Sequence, residues 1–138
     1  MVRLLDLGKL CRNFGEVGMA GVETRDFDSP DETRTPDKTK VDIVHLGGNP
    51  VARFRMEPGW TWSGCVQPVV GGDSCQLRHL GVAQSGRLSI THDDGTVVEI
   101  GPGDAYVIEP RHQAEVVGDE PFVGFEFQPQ SAEDYAKR

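Results

Sequence analysis

Along most of this chain, apolar and polar positions alternate in short runs cut by glycine- and proline-rich turns. Val51 to Glu57 is the clearest case: Phe54 and Met56 face one way, Arg53 and Arg55 the other. A period of two residues marks a strand with one buried face. Val41 to Leu46 is a short apolar run stopped by Gly47-Gly48-Asn49-Pro50. Further strands are predicted over residues 75–83, Gly86 to His92, Thr96 to Ile100, Ala105 to Ile108 and Phe122 to Phe127, with Val116-Val117 before the last. Asp93-Asp94-Gly95 is a hairpin turn signal, and Gly101-Pro102-Gly103-Asp104 is another turn. About eight or nine short strands at this spacing predict an all-β sandwich or barrel.

Two stretches fall outside the pattern. Residues 1 to 18 are basic (Arg3, Lys9, Arg12), with Leu4, Leu5, Leu7 and Leu10 near helical spacing. They read equally as a short helix packed on the barrel or as a terminal tail. Ser29 to Lys40 is polar, charged and carries two prolines, so it is expected to be an exposed loop. The division expected is an extension and polar loop over 1–40, one β-domain over 41–128 and a tail over 129–138.

Composition narrows the partners. The 138 residues suit one domain, and 17 Gly with 9 Pro suit a turn-rich β protein. A net charge of -8 repels phosphate backbones and anionic lipid, so neither nucleic acid nor membrane is expected as a partner. The three cysteines, Cys11, Cys65 and Cys75, are an odd number, and no apolar run suits a signal peptide. The expectation is a cytoplasmic protein with reduced thiols. There is no GxSxG, P-loop, dinucleotide fingerprint or zinc-ribbon CxxC pair.

Candidate chemistry centres on His79. Its neighbours on the same strand face, Gly81 and Ala83, are small and are expected to leave open volume beside the imidazole. His112 follows Pro110 and Arg111 at a loop-to-strand junction, where a rigid scaffold can aim it. Trp60 and Trp62 would make an aromatic wall for a ligand. Arg53 could hold a substrate carboxylate, and Phe125 is placed with these pocket-lining residues. Tyr106 could donate a phenolic proton inside the barrel. Glu109 or Glu115, flanking His112, could act as acid or base in an apolar cavity. His92, beside a turn, is expected in solvent.

Two segments resemble a known family. EPGWTWSGCVQP running on to CQLRHLGVAQSGRLSI, and DDGTVVEIGPGDAYVIEPRHQAEVVGDEPFVGFEF, resemble the two motifs of a small single-domain cupin. The resemblance spans about residues 41 to 128, and GPGDAYVI is its most specific part. It implies a cupin barrel, two antiparallel sheets in a jelly-roll-like arrangement, commonly paired as a homodimer. It also implies metal ligands at Cys65, Gln67 and His79, where the family places two histidines and a glutamate. His112 would supply the fourth, about two residues earlier than usual. A second set stays open: Cys75, His79 and His112, with Cys75 and His79 read as four apart on one strand.

The implied cofactor is a divalent transition metal (Zn, Fe, Cu, Ni or Mn), and a metal-free barrel is the alternative. Thiolate and imidazole donors suit zinc or copper better than magnesium or calcium. The function expected is a metal-dependent enzyme acting on a small organic molecule inside the barrel. The alternatives are a metal-free ligand-binding module built on Trp60, Trp62, His79 and Tyr106, and a dimerising structural domain.

Overall fold

The alternation around Phe54 becomes a hairpin. β2 (Thr39–Leu46) and β3 (Asn49–Met56) pair antiparallel without interruption from Thr39↔Met56 to Leu46↔Asn49. Gly47 and Gly48 turn the chain with φ of 55° and 82°, the double left-handed conformation that a two-residue hairpin loop needs. Pro50, Ala52, Phe54 and Met56 are buried, and Arg55 is exposed. The structure, a computed structural model, describes residues 21–127, 131 and 134–137. The predicted helix or tail of residues 1–18 lies outside these.

The expected loop from Ser29 to Lys40 contains a strand. β1 (Glu32–Arg34) pairs with Val41–Ile43 of β2. Its polarity fits an edge: the Thr33 hydroxyl donates to Asp42 at 2.9 Å, and charged side chains blunt the open side. β4 (His79–Ser85), β7 (Ala105–Ile108) and β9 (Phe122–Glu126) complete a six-stranded sheet in the order β1-β2-β3-β9-β4-β7. β5 (Arg87–His92), β6 (Val97–Ile100) and β8 (His112–Val117) form a three-stranded sheet in the order β6-β5-β8. One core joins them, with Val41, Ile43, Phe54 and Phe122 from the larger sheet and Leu88, Ile90, Ile100 and Val116 from the smaller.

The link from β3 to β4 decides the site. It folds as two short helices, α1 (Trp62–Cys65) and α2 (Gln67–Val70). The Thr61 side chain caps α1 by accepting from the Gly64 N–H at 3.0 Å. Pro68 sits in the first turn of α2, and Gly71 ends it with φ of 77°. Isolated bridges Thr61↔Glu115 and Cys75↔His112 dock both ends of this excursion onto β8. Among the described residues no helix is long and apolar enough to cross a membrane.

Candidate metal centre

Three ligand-type side chains converge inside the barrel. The thiol of Cys75 and one ring nitrogen each of His79 and His112 lie within 4.8 Å of one another, and all three residues are buried. Each arrives on a different piece of backbone. His79 opens β4 opposite Ile108. Cys75 lies in the extended link before β4, not on the strand with His79, and is held by its bridge to His112. The Cys75 N–H donates to the His112 carbonyl at 2.9 Å, and the Arg111 N–H donates to the Cys75 carbonyl at 2.7 Å. Arg111 takes φ of 77°, a conformation rare for a residue with a side chain. That turn starts β8 with His112 facing inward.

Both imidazoles are anchored from behind. His79 Nδ1 lies 2.7 Å from Glu126 Oε1, and His112 Nδ1 lies 2.8 Å from the Glu109 carbonyl oxygen. An oxygen acceptor on Nδ1 keeps the proton there and leaves Nε2 as the ligand atom, the arrangement typical of metal-binding histidines. His79 Nε2 is 3.6 Å from Cys75 Sγ. Sulfur at about 2.3 Å and nitrogen at about 2.0–2.1 Å on a tetrahedral ion stand roughly 3.6 Å apart, so this pair already has the required spacing.

Burial sets the electrostatics. Glu126 and His79 are almost completely buried and sustain each other's charge. Burial alone would lower the His79 pKa, but the Glu126 carboxylate and Cys75 raise it to about 10. Burial would raise Glu126, and the His79 charge with hydrogen bonds from Tyr106 and Ser131 holds it below the usual carboxylate value. Burial would likewise raise the Cys75 thiol, but hydrogen bonds to His112 and His79 bring it down to about 6. These shifts favour a thiolate beside an imidazolium in the metal-free centre, backed by a carboxylate. The Tyr106 hydroxyl donates to Glu126 Oε2 at 2.8 Å, and its own pKa is raised by burial and by that carboxylate.

Other candidate residues lie elsewhere. Cys65 ends α1 with its thiol 3.8 Å from Asp37, and Gln67 starts α2 and donates to the Gly72 carbonyl at 2.6 Å. Neither joins the cluster, because the helical turns replace the inward-facing strand that their spacing implied. The Glu109 carboxylate points outward onto Arg78 at 3.1 Å, and only its carbonyl reaches His112. Arg53 binds Asp42 at 2.9 Å and Asp28 at 3.0 Å on the outer face. Phe125 stacks at 5.5 Å on Phe27, also outside. The space beside Gly81 is not open: a Cβ there would lie 2.9 Å from both the Tyr106 hydroxyl and Glu126 Cγ and would collide with the Phe125 carbonyl. His92 is part-buried, its Nε2 2.9 Å from the Pro110 carbonyl.

Trp60 and Trp62 do reach the interior, each 2% exposed. With Tyr135 they wall a cavity of about 20 Å³ against Cys75, His79 and His112, room for one water-sized group. A second cavity of about 470 Å³ is also lined by Trp62, Cys75 and Tyr135. A hollow of about 490 Å³ between β6 and β7 touches none of the three ligand residues. Glu126 and Tyr135 were not anticipated. Glu126 shares its strand face with buried Phe122 and Gly124, a signal readable in FVGFEF. Tyr135 lies in the segment expected to be a tail.

Neither a protein-family model nor a curated protein matches this sequence. Solved structures do. A protein of unknown function from Rhizobium leguminosarum matches with TM-score 0.56 and 17% identity, over 80% of this chain and 99% of that one. One from Acidithiobacillus ferrooxidans matches with TM-score 0.53 and 19% identity, over 72% and 88%. A sugar phosphate isomerase of the cupin superfamily from Silicibacter pomeroyi matches with TM-score 0.53 and 18% identity, over 75% and 73%. At such identities the likeness carries fold, not activity. This chain is a small protein of the cupin fold, with its barrel closed around Cys75, His79 and His112.

Proposed function

We propose that the barrel is a metal-dependent enzyme that holds one divalent transition metal on Cys75, His79 and His112 and acts on a small organic molecule. One observation supports this most: both histidines have Nδ1 fixed by an oxygen acceptor, so that Nε2 remains for the metal beside a single thiolate. The donor set suits zinc or copper. A bound ion would supply Lewis acidity or a site for O₂. The chain does the rest. Glu126 fixes the tautomer of His79, and Tyr106 fixes Glu126. Trp60, Trp62, Leu88 and Ile90 keep water out. The substrate would occupy the 470 Å³ cavity, a volume suited to a small metabolite, and approach past Trp62 and Tyr135.

The test is metal content per chain in protein purified without a histidine tag. The expected result is close to one equivalent in the wild type and almost none in His79→Ala or His112→Ala. Failure to retain metal after supplementation with Zn²⁺, Fe²⁺, Cu²⁺, Ni²⁺ and Mn²⁺ would rule it out. A metal-free ligand-binding barrel is the competing reading, favoured by that same 470 Å³ cavity, and this measurement separates the two.

A further inference from the structure

Three buried side-chain polar atoms make no well-formed hydrogen bond among the described residues: Arg34 Nη2, Trp60 Nε1 and the Tyr135 hydroxyl, the last with only a loose contact to Thr39. Two of these three belong to residues that wall the 20 Å³ cavity beside the ligand cluster. Burying a donor without an acceptor costs roughly 1–3 kcal/mol, so native interiors rarely keep two at one place without use. Trp60 and Tyr135 are each only 2% exposed, so bulk water does not satisfy them. Both groups can donate, and an indole N–H can only donate. The partner they suit is a hydrogen-bond acceptor.

Glu126 also lines this cavity, but its two carboxylate oxygens are already engaged by His79 and Tyr106, and Leu88, Ile90, Ile108 and Phe122 add no polar group. Three protein ligands leave one position open on a tetrahedral ion, as in catalytic zinc sites. The cavity admits one small group and no more. We propose that Trp60 and Tyr135 are positioning residues for an oxygen or other small acceptor group bound beside the metal. This rests on the metal reading above and makes it more specific. The substrates it favours present a carboxylate, carbonyl or hydroxyl to the centre, with the body of the molecule in the larger cavity. Tyr135, like Trp62 and Cys75, lines both cavities.

The experiment uses the cobalt-loaded full chain with azide as the probe, followed by the change in the visible cobalt spectrum. Wild-type protein should bind azide, and Tyr135→Phe and Trp60→Phe should each weaken it about tenfold, the worth of one hydrogen bond to a charged acceptor. Cobalt uptake itself should be unchanged in both. Tyr135→Phe removes only a hydroxyl, so it remains informative if Trp60→Phe folds poorly. Equal azide affinity in wild type and Tyr135→Phe, or no azide binding at all, would overturn the proposal. If the wild type takes up no cobalt, the metal reading fails instead. The donor pair is then tested alone by the thermal shift that azide or formate gives the metal-free chain. A shift in the wild type that is lost in Tyr135→Phe supports it, and no difference overturns it.

Discussion

Two histidine–carboxylate pairs in this molecule use the same chemistry in opposite settings. His79 and Glu126 meet at 2.7 Å with side chains 7% and 6% exposed. His45 and Asp31 meet at 3.3 Å with side chains 43% and 34% exposed. The buried pair is locked by Tyr106 and faces Cys75. The exposed pair is shared with Arg25 at 2.6 Å. Water and salt screen the outer pair, while little screens the inner one. The lesson is that burial, not residue type, turns an imidazole–carboxylate contact into a site. The outer pair ties β2 to the segment before β1, whereas the inner one fixes a ligand atom.

That contrast can be broken from the inside first. Glu126→Ala in the metal-free protein leaves the buried His79 imidazolium without its carboxylate partner, and should cost about 3–5 kcal/mol in chemical denaturation. Glu126→Gln in the metal-loaded protein should weaken metal binding by about 10–100-fold, read by competition with a chelator. Gly81→Ala pushes a methyl group against Tyr106, Glu126 and the Phe125 carbonyl, and should cost about 1–3 kcal/mol by the same denaturation measurement. Tyr106→Phe removes one hydrogen bond to a charged oxygen and should cost about 1.5 kcal/mol.

The outer pair gives the smallest effect. Asp31→Asn should cost less than about 1 kcal/mol, and the loss should vanish in high salt. Its pH dependence has a definite sign. The Arg25 hydrogen bond, offset partly by burial and helped by His45, lowers Asp31 to about 2. A depressed carboxylate contributes stability above its unfolded pKa and loses it as pH falls through the folded value. The wild type and Asp31→Asn should therefore converge in stability between about pH 4 and pH 2. A large, salt-insensitive loss from Asp31→Asn would erase the distinction between the two pairs.

The fold was legible because alternation is a local property. Phe54 against Arg53, and Leu88 with Ile90, announce buried faces without any knowledge of the partner strand. The site was legible only in part. His79 and His112 stand out as histidines inside a β pattern, and Cys75 could be grouped with them. The choice between Cys75 and Cys65 depends on whether residues 61–70 continue as a strand or coil into helical turns. Thr61 at a cap position, Pro68 in a first turn and Gly71-Gly72 after it are the signals for helix. The likeness of spacing to a family motif pointed the other way. Phe125 and Glu126 illustrate a parity problem: one residue's shift decides which of them faces the core. Tyr135 reaches the cavity through tertiary packing, its ring 4.7 Å from Phe54, and nothing in its local sequence marks that.

The most direct measurement is the thiolate-to-metal charge-transfer absorption of the cobalt-loaded protein, compared in wild type, Cys65→Ser and Cys75→Ser. The band should be present in the wild type, survive in Cys65→Ser and disappear in Cys75→Ser. Loss of the band in Cys65→Ser with retention in Cys75→Ser, or no band in the wild type, would contradict a centre built on Cys75, His79 and His112.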